Sequence, residues 1–139
     1  MNNIKVELVR DPIDHLGIVQ SVKQAGVGAV VVFAGTTRDE FRGKEVVYLE
    51  YEAHNSMAIK TMTSIANEAW EQWPLKAISV VHRLGVVPIL EESIHIATSA
   101  AHRKEAYLAN EYILEQVKKR AEIWKKEMYS DQTWNWKVN

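Results

Sequence analysis

Cysteine is absent from this 139-residue sequence. That absence excludes disulfides, a thiolate nucleophile, a persulfide carrier and a thiolate zinc site, and it fits a reducing compartment. Any sulfur chemistry here must use sulfur that arrives on another molecule. Long apolar runs are missing too: the longest, residues 29–34, is far too short for a membrane helix. A surplus of one charge sign is also lacking, with 17 basic against 18 acidic residues and a net charge of -1. No overall field therefore favours nucleic acid or an anionic membrane, and any anion site must be local. Five histidines occur without an i, i+4 pair beside a glutamate, so no structural metal is expected. Met1-Asn2-Asn3-Ile4-Lys5-Val6 lacks the basic-then-apolar layout of a signal peptide, and a cytoplasmic protein is expected.

What is present reads as one domain over residues 1–139, with 47% apolar and 25% charged residues. Ile4, Val6 and Leu8 alternate with Lys5 and Glu7, predicting a half-buried strand. Asp11-Pro12 then offers a cap and first-turn proline for a short helix with an apolar face of Ile13, Leu16, Val19 and Val22. Gly26 supplies its stop, and Gly26-Val27-Gly28 is a turn, since nucleotide-binding glycines follow a strand. The β-branched run at 29–34 predicts a strand buried on both faces, with Arg38 just past its exit. Residues 39–44 are charged and contain Gly43, the composition of an exposed loop and a candidate mobile lid.

A strand over 46–52 precedes a helix capped by Asn55 or Ser56 and ended by Pro74. Strands follow at 77–84 and 94–97, with a turn or crossover at Gly85 and Pro88 between them. Ser99 is placed to cap the longest helix, whose buried stripe is Ala106, Ala109, Ile113, Val117 and Ala121. The tryptophan-rich tail suits edge strands or packing on a neighbouring subunit. Strands and helices mix without strict alternation, so the expected class is α+β, mainly antiparallel, with helices collected on one side.

Two clusters could carry chemistry. His102 and Arg103 fall in the first turn of a helix, where cationic groups conflict with the backbone dipole unless an anion compensates. They read either as a phosphate-binding corner or as surface residues, with Arg103 paired to an acid such as Glu91 or Glu92. Lys118 lies in that helix's last turn, where cations commonly complement the dipole and face solvent. In Ile123-Trp124-Lys125-Lys126-Glu127, extended backbone puts Lys125 and Glu127 on one face and Trp124 and Lys126 on the other. A lysine beside other cations in a partly dry pocket suits proton transfer or acyl attack, whereas a solvated basic run does neither.

Four blocks, Gly28 through Asp39, His82-Arg83-Leu84-Gly85, Thr98-Ser99-Ala100-Ala101-His102-Arg103 and Ile123-Trp124-Lys125-Lys126-Glu127, together resemble the molybdopterin synthase large-subunit family in order and spacing. The resemblance implies an α/β-hammerhead fold with an added antiparallel β subdomain. It further implies a homodimer of large subunits within a heterotetramer, with a small ubiquitin-like sulfur-carrier subunit at each end. The implied activity transfers sulfur from that subunit's Gly-Gly thiocarboxylate to cyclic pyranopterin monophosphate, forming a dithiolene, with no cofactor. Lys118 and Lys125 match the family's catalytic lysines. Thr36, Thr37, Arg38, His102, Arg103, Lys126 and Glu127 match its substrate-binding positions. Where the family often has proline before the Ile-Trp-Lys stretch, this chain has Glu122. A non-catalytic module holding a phosphorylated metabolite or acidic peptide tail is the competing reading.

Overall fold

The alternating apolar positions of Ile4, Val6 and Leu8 form the edge strand β1 (Ile4–Val9) of a four-stranded sheet in the computed structural model, which describes residues 3–138. Met1, Asn2 and Asn139 lie outside the described residues, and with them part of the N-terminal stretch discussed above and the ends of the 1–139 domain. Strand β1 pairs in parallel with β5 (Leu75–Arg83), and β5 pairs antiparallel with β7 (Glu92–Ala100). Strand β2 (Ala29–Thr36) closes the order β1-β5-β7-β2 by antiparallel pairing to β7.

Two long helices cover one face of this sheet. Met62, Ile65 and Ala69 of α2 (Asn55–Gln72) and Ala106, Ala109, Ile113 and Val117 of α3 (Arg103–Arg120) are buried against Ile78, Val80 and Ile96. Each large aliphatic side chain so buried contributes about 1.5–3 kcal/mol. The stripe expected on α3 is the one that packs, and Ala121 just beyond it is buried as well. The short helix α1 (His15–Ser21) lies on the opposite face, where Ile18 and Val22 meet Ala77 and Ala97. Helices therefore occupy both sides of the sheet. A hydrogen bond of 2.8 Å between His15 Nδ1 and His95 Nε2 fastens α1 to β7.

The second sheet is antiparallel throughout. Strand β4 (Lys44–Ala53) pairs with β3 (Glu40–Phe41), with β6 (Gly85–Pro88) and with β8 (Ile123–Tyr129), and β8 pairs with β9 (Trp134–Val138). This is the added antiparallel subdomain, and the tryptophan-rich tail forms its edge.

Several local expectations are corrected. Asp14, not Asp11, caps α1 by accepting from the Gly17 amide, and Leu16 remains 68% exposed because so short a helix buries only one side. Gly26 lies beyond the helix end, in the turn before β2. Strand β2 is half-buried rather than buried on both faces, because it is an edge strand. Residues 39–44 form a hairpin and not an irregular loop: Arg42 and Gly43 both take positive φ, the geometry of a tight two-residue turn, and Glu40 accepts from the Gly43 amide at 2.7 Å. His54 caps α2 through Nδ1. Residues 85–88 form a strand, and Ser99 is inside β7, whose pairing to β2 and β5 runs on through Ala100. Helix α3 thus starts one turn later than a Ser99 cap would place it, with His102 as N-cap and no side-chain capping bond.

Candidate functional site

The two sheets meet around a cavity of about 360 Å³ at the exit of β2. Phe33, Phe41, Val46, Leu49 and Ile94 give it an apolar wall, while Arg38, Lys118, Lys125 and Glu127 bring charge from three separate parts of the chain. Arg38 is carried by the segment following β2, and its neighbour Thr37 fixes that segment. Thr37 is buried; its amide donates to the Glu91 carbonyl and its carbonyl accepts from the Leu90 amide. The Thr37 side chain points toward the Val87 carbonyl, so it anchors the strand exit, whereas Thr36 lines the cavity.

Lys118 stands in the last turn of α3, where a cation is favoured by the helix dipole, and here that end faces the cavity. Strand β8 alternates as its sequence predicts: Lys125 and Glu127 point inward, and Trp124 and Lys126 outward. Lys126 packs over Trp134 and Trp136, at 4.6 Å and 5.9 Å from their ring centroids. The turn between α3 and β8 is defined without proline. The Glu122 carbonyl accepts from the His54 amide, and its carboxylate accepts from the Thr61 hydroxyl at 3.1 Å.

Burial pushes the Lys125 ammonium toward deprotonation and Glu127 opposes this, but Lys118, Lys137 and Arg38 add repulsion, leaving its pKa below the ordinary lysine value. Burial alone would raise the Glu127 carboxyl; contacts from Lys137 and Tyr129, with the charge of Lys125, outweigh it and hold the group lowered. Lys137 Nζ is 3.0 Å from Glu127 Oε1, and the Tyr129 hydroxyl donates to the same oxygen at 2.8 Å. On the cavity lining, Tyr51 donates to Ser93 Oγ at 3.2 Å, and Ser93 donates to the Gly35 carbonyl at 3.4 Å. The arrangement can hold an anion beside an apolar body and stabilise charge developing between them.

His102 and Arg103 are elsewhere. They open α3 and line a shallow exposed corner with Gly28, Ala101 and Lys104. The backbone approach there is close: a Cβ on Gly28 would fall 2.2 Å from the Ala101 carbonyl oxygen. Glu91 pairs with Arg83 at 2.6 Å, and among the described residues no ion pair holds Arg103. One chain thus gathers Thr36, Arg38, Lys118, Lys125 and Glu127, and leaves Thr37, Lys126, His102 and Arg103 out of that cavity. Sequence reasoning missed Phe33, Phe41, Tyr51, Ser93 and Lys137. The period-2 pattern of β4 and β9 was their only signal, and it applies to Tyr51 and Lys137 alone. Among the described residues no cluster of three metal-ligating side chains occurs, and no helix is long and apolar enough to cross a membrane.

Fold and site together define an α+β protein with a cationic, partly dry pocket containing a perturbed lysine, the equipment of an enzyme or receptor acting on anionic ligands. The profile described as MoaE protein matches residues 8–120, and the chain belongs to that family. It is 50% identical over 136 residues to the molybdopterin synthase catalytic subunit of Drosophila erecta, covering 96% of this chain but 37% of that protein. The chain thus spans little more than a third of that relative's length. The subunit of the same name from Aspergillus clavatus is 42% identical, with 99% of this chain and 70% of the relative covered. The crystal structure of molybdopterin synthase from Staphylococcus aureus superposes with a TM-score of 0.91 at 41% identity, covering 96% of each chain. The α/β-hammerhead with its antiparallel subdomain is therefore the fold.

Proposed function

We propose that the chain is the catalytic subunit of a molybdopterin synthase. In this reading it transfers sulfur from the C-terminal thiocarboxylate of a small ubiquitin-like subunit to cyclic pyranopterin monophosphate, forming the dithiolene. The observation that carries the proposal is the convergence of Arg38, Lys118 and Lys125 on one cavity with an apolar wall. Both reactants are anions with uncharged bodies, and both must be held together. Arg38 offers a planar donor fork for phosphate oxygens, and Phe33 and Phe41 offer contact for the pterin or the glycine tail. Lys118 serves as proton donor or transient nucleophile at the acyl or pterin centre, while Lys125 stabilises anionic intermediates. Glu127 acts on Lys125 through its charge, which favours the ammonium form. Thr36 adds a hydrogen-bonding group, and Thr37 and Lys126 support the segments carrying Arg38 and Lys125.

His102 and Arg103 fit this reading through a homodimer within a heterotetramer. An uncapped α3 N-terminus with an unpaired guanidinium is a ready phosphate site, and a second copy can present it across the mouth of the first copy's cavity. The test is to mix the purified chain with a thiocarboxylated partner and cyclic pyranopterin monophosphate and follow the product by mass spectrometry. Dithiolene should form with the native chain. Lys118→Ala should leave partner binding intact and abolish product, and near-native turnover by that variant rejects the role. A purely binding module has no support among the relatives named above. Lys118→Arg separates the two readings, because retained charge keeps binding yet spoils catalysis.

A further inference from the structure

We infer that Lys137 is a positioning residue of this cavity: by holding Glu127 and the ring of Phe41, it leaves the Lys125 ammonium unpaired and directed at the ligand. The inference rests on the reading of Lys125 as a working residue of the site. Lys137 is the direct cross-strand partner of Lys125 in the β8–β9 pairing, so two cations face each other on the inner side of the sheet. Unrelieved, such a pair is destabilising. Glu127, two residues along β8 on the same face, is the group that can relieve it, and the residue is only 5% exposed.

The carboxylate has chosen between the two lysines. Its closest cation is Lys137, at 3.0 Å, and no ion pair joins it to Lys125. The Tyr129 hydroxyl binds the same oxygen and fixes its orientation. Lys137 is held in turn from the other side, its Nζ 3.1 Å from the centroid of Phe41 on the hairpin strand β3. One ammonium therefore joins the edge strand β9, the buried acid of β8 and the rim of the cavity. The groups facing Lys125 from the surrounding elements are then Arg38 beyond β2, Glu40 on β3, Tyr51 on β4, Lys118 on α3, Glu127 on β8 and Lys137 on β9.

Removing Lys137 deletes a nearby positive charge and frees Glu127 to pair with Lys125. Both changes stabilise the Lys125 ammonium, so its free amine appears only at higher pH. Trace acylation of the folded chain, with Lys125 quantified by mass spectrometry across a pH series, reads this directly and needs no substrate. In Lys137→Met the reactivity of Lys125 at pH 8 should fall about three- to tenfold, tenfold being one pKa unit. Lys137→Arg, which keeps the charge, should restore it. In a Glu127→Gln background the effect of Lys137→Met should shrink, because the freed carboxylate is gone. An unchanged Lys125 profile in folded Lys137→Met overturns the inference, as does a shift that arginine fails to reverse. The sulfur-transfer assay forms a separate arm. The labelling pattern without dithiolene formation by the native chain leaves the positioning role standing and removes the functional reading. Native sulfur transfer with no labelling shift does the reverse.

Discussion

Arg103 and Lys118 occupy opposite ends of α3, about 22 Å apart along its axis at 1.5 Å per residue, so no single chain can apply both to one small ligand. If the pocket is completed across a two-fold axis, defects at the two positions should complement. Arg103→Ala and Lys118→Ala homodimers should each be inactive. Mixed at equal ratio and allowed to exchange subunits, they should recover roughly a quarter of native turnover, since half the dimers are hybrid and each hybrid has one intact site. Zero recovery in demonstrably mixed dimers would remove the second copy from the site.

Lys125 sets an expectation for pH. Its pKa lies below the ordinary lysine value because of burial and three neighbouring cations, with Glu127 pulling the other way. If the working form is the ammonium, turnover should decline on the alkaline side at a pH lower than a solvent-exposed lysine would give. Lys125→Arg should carry any remaining activity to higher pH, since guanidinium stays charged. Glu127→Gln should move the decline further down by removing the group that raises Lys125. A pH–rate series on the three proteins decides this, and an alkaline limb that moves up in Glu127→Gln refutes the assignment.

The β8 stretch shows what was legible in the sequence and what was not. Period-2 alternation alone puts Lys125 and Glu127 on one face, and the length of the helical pattern puts Lys118 in the last turn of α3. What pattern could not supply was the third dimension. Nothing local indicates that the end of α3 and the exit of β2 open on the same cavity, or that Lys137 and not Lys125 takes the Glu127 carboxylate. The Ser99 cap failed for a similar reason: a serine before a helix is a good local cap, but strand pairing on both sides of β7 extends it past that residue. Residues 39–44 looked like a lid because charge and glycine mark loops, and the same Arg42-Gly43 pair equally marks a hairpin turn.

Asn110 ties the body of β2 to the helix layer. From α3 its amide nitrogen donates to the carbonyls of Val31 on β2 and Ile96 on β7, at 3.1 and 3.0 Å, and lies 3.4 Å from Thr98 Oγ1. Asn110→Ala leaves buried acceptors unsatisfied and should cost about 1–3 kcal/mol. For a chain of this size that corresponds to a fall in Tm of roughly 2–4 °C per kcal/mol. Because β2 leads to Arg38, amide exchange along residues 29–36 should speed up, and affinity for a phosphorylated ligand should drop more than for an uncharged analogue. Equal exchange in variant and native protein would show that β2 is held by other contacts.

His82 provides a stability signature that also reports on the cavity. It is fully buried, stacks edge-on against Tyr51 with ring centroids 4.9 Å apart, and donates from Nδ1 to the Arg83 carbonyl at 2.9 Å. Burial lowers its pKa to about 4 from 6.5, the Arg83 carbonyl opposes this, and the charge of Lys118 lowers it further. Between those values the unfolded chain binds a proton that the folded chain refuses. The stability is fully present above pH 6.5, is lost as pH falls toward about 4, and changes no further below that. Between pH 7 and pH 5 the loss from this residue should be about 2 kcal/mol. Denaturant titrations at the two pH values should show that loss in the native chain and much less of it in His82→Gln, even if the variant starts from a lower stability. Lys118→Ala should raise the His82 pKa, visible as a shifted imidazole titration by NMR. A titration unmoved by that change would place the Lys118 ammonium too far from His82 to act on it.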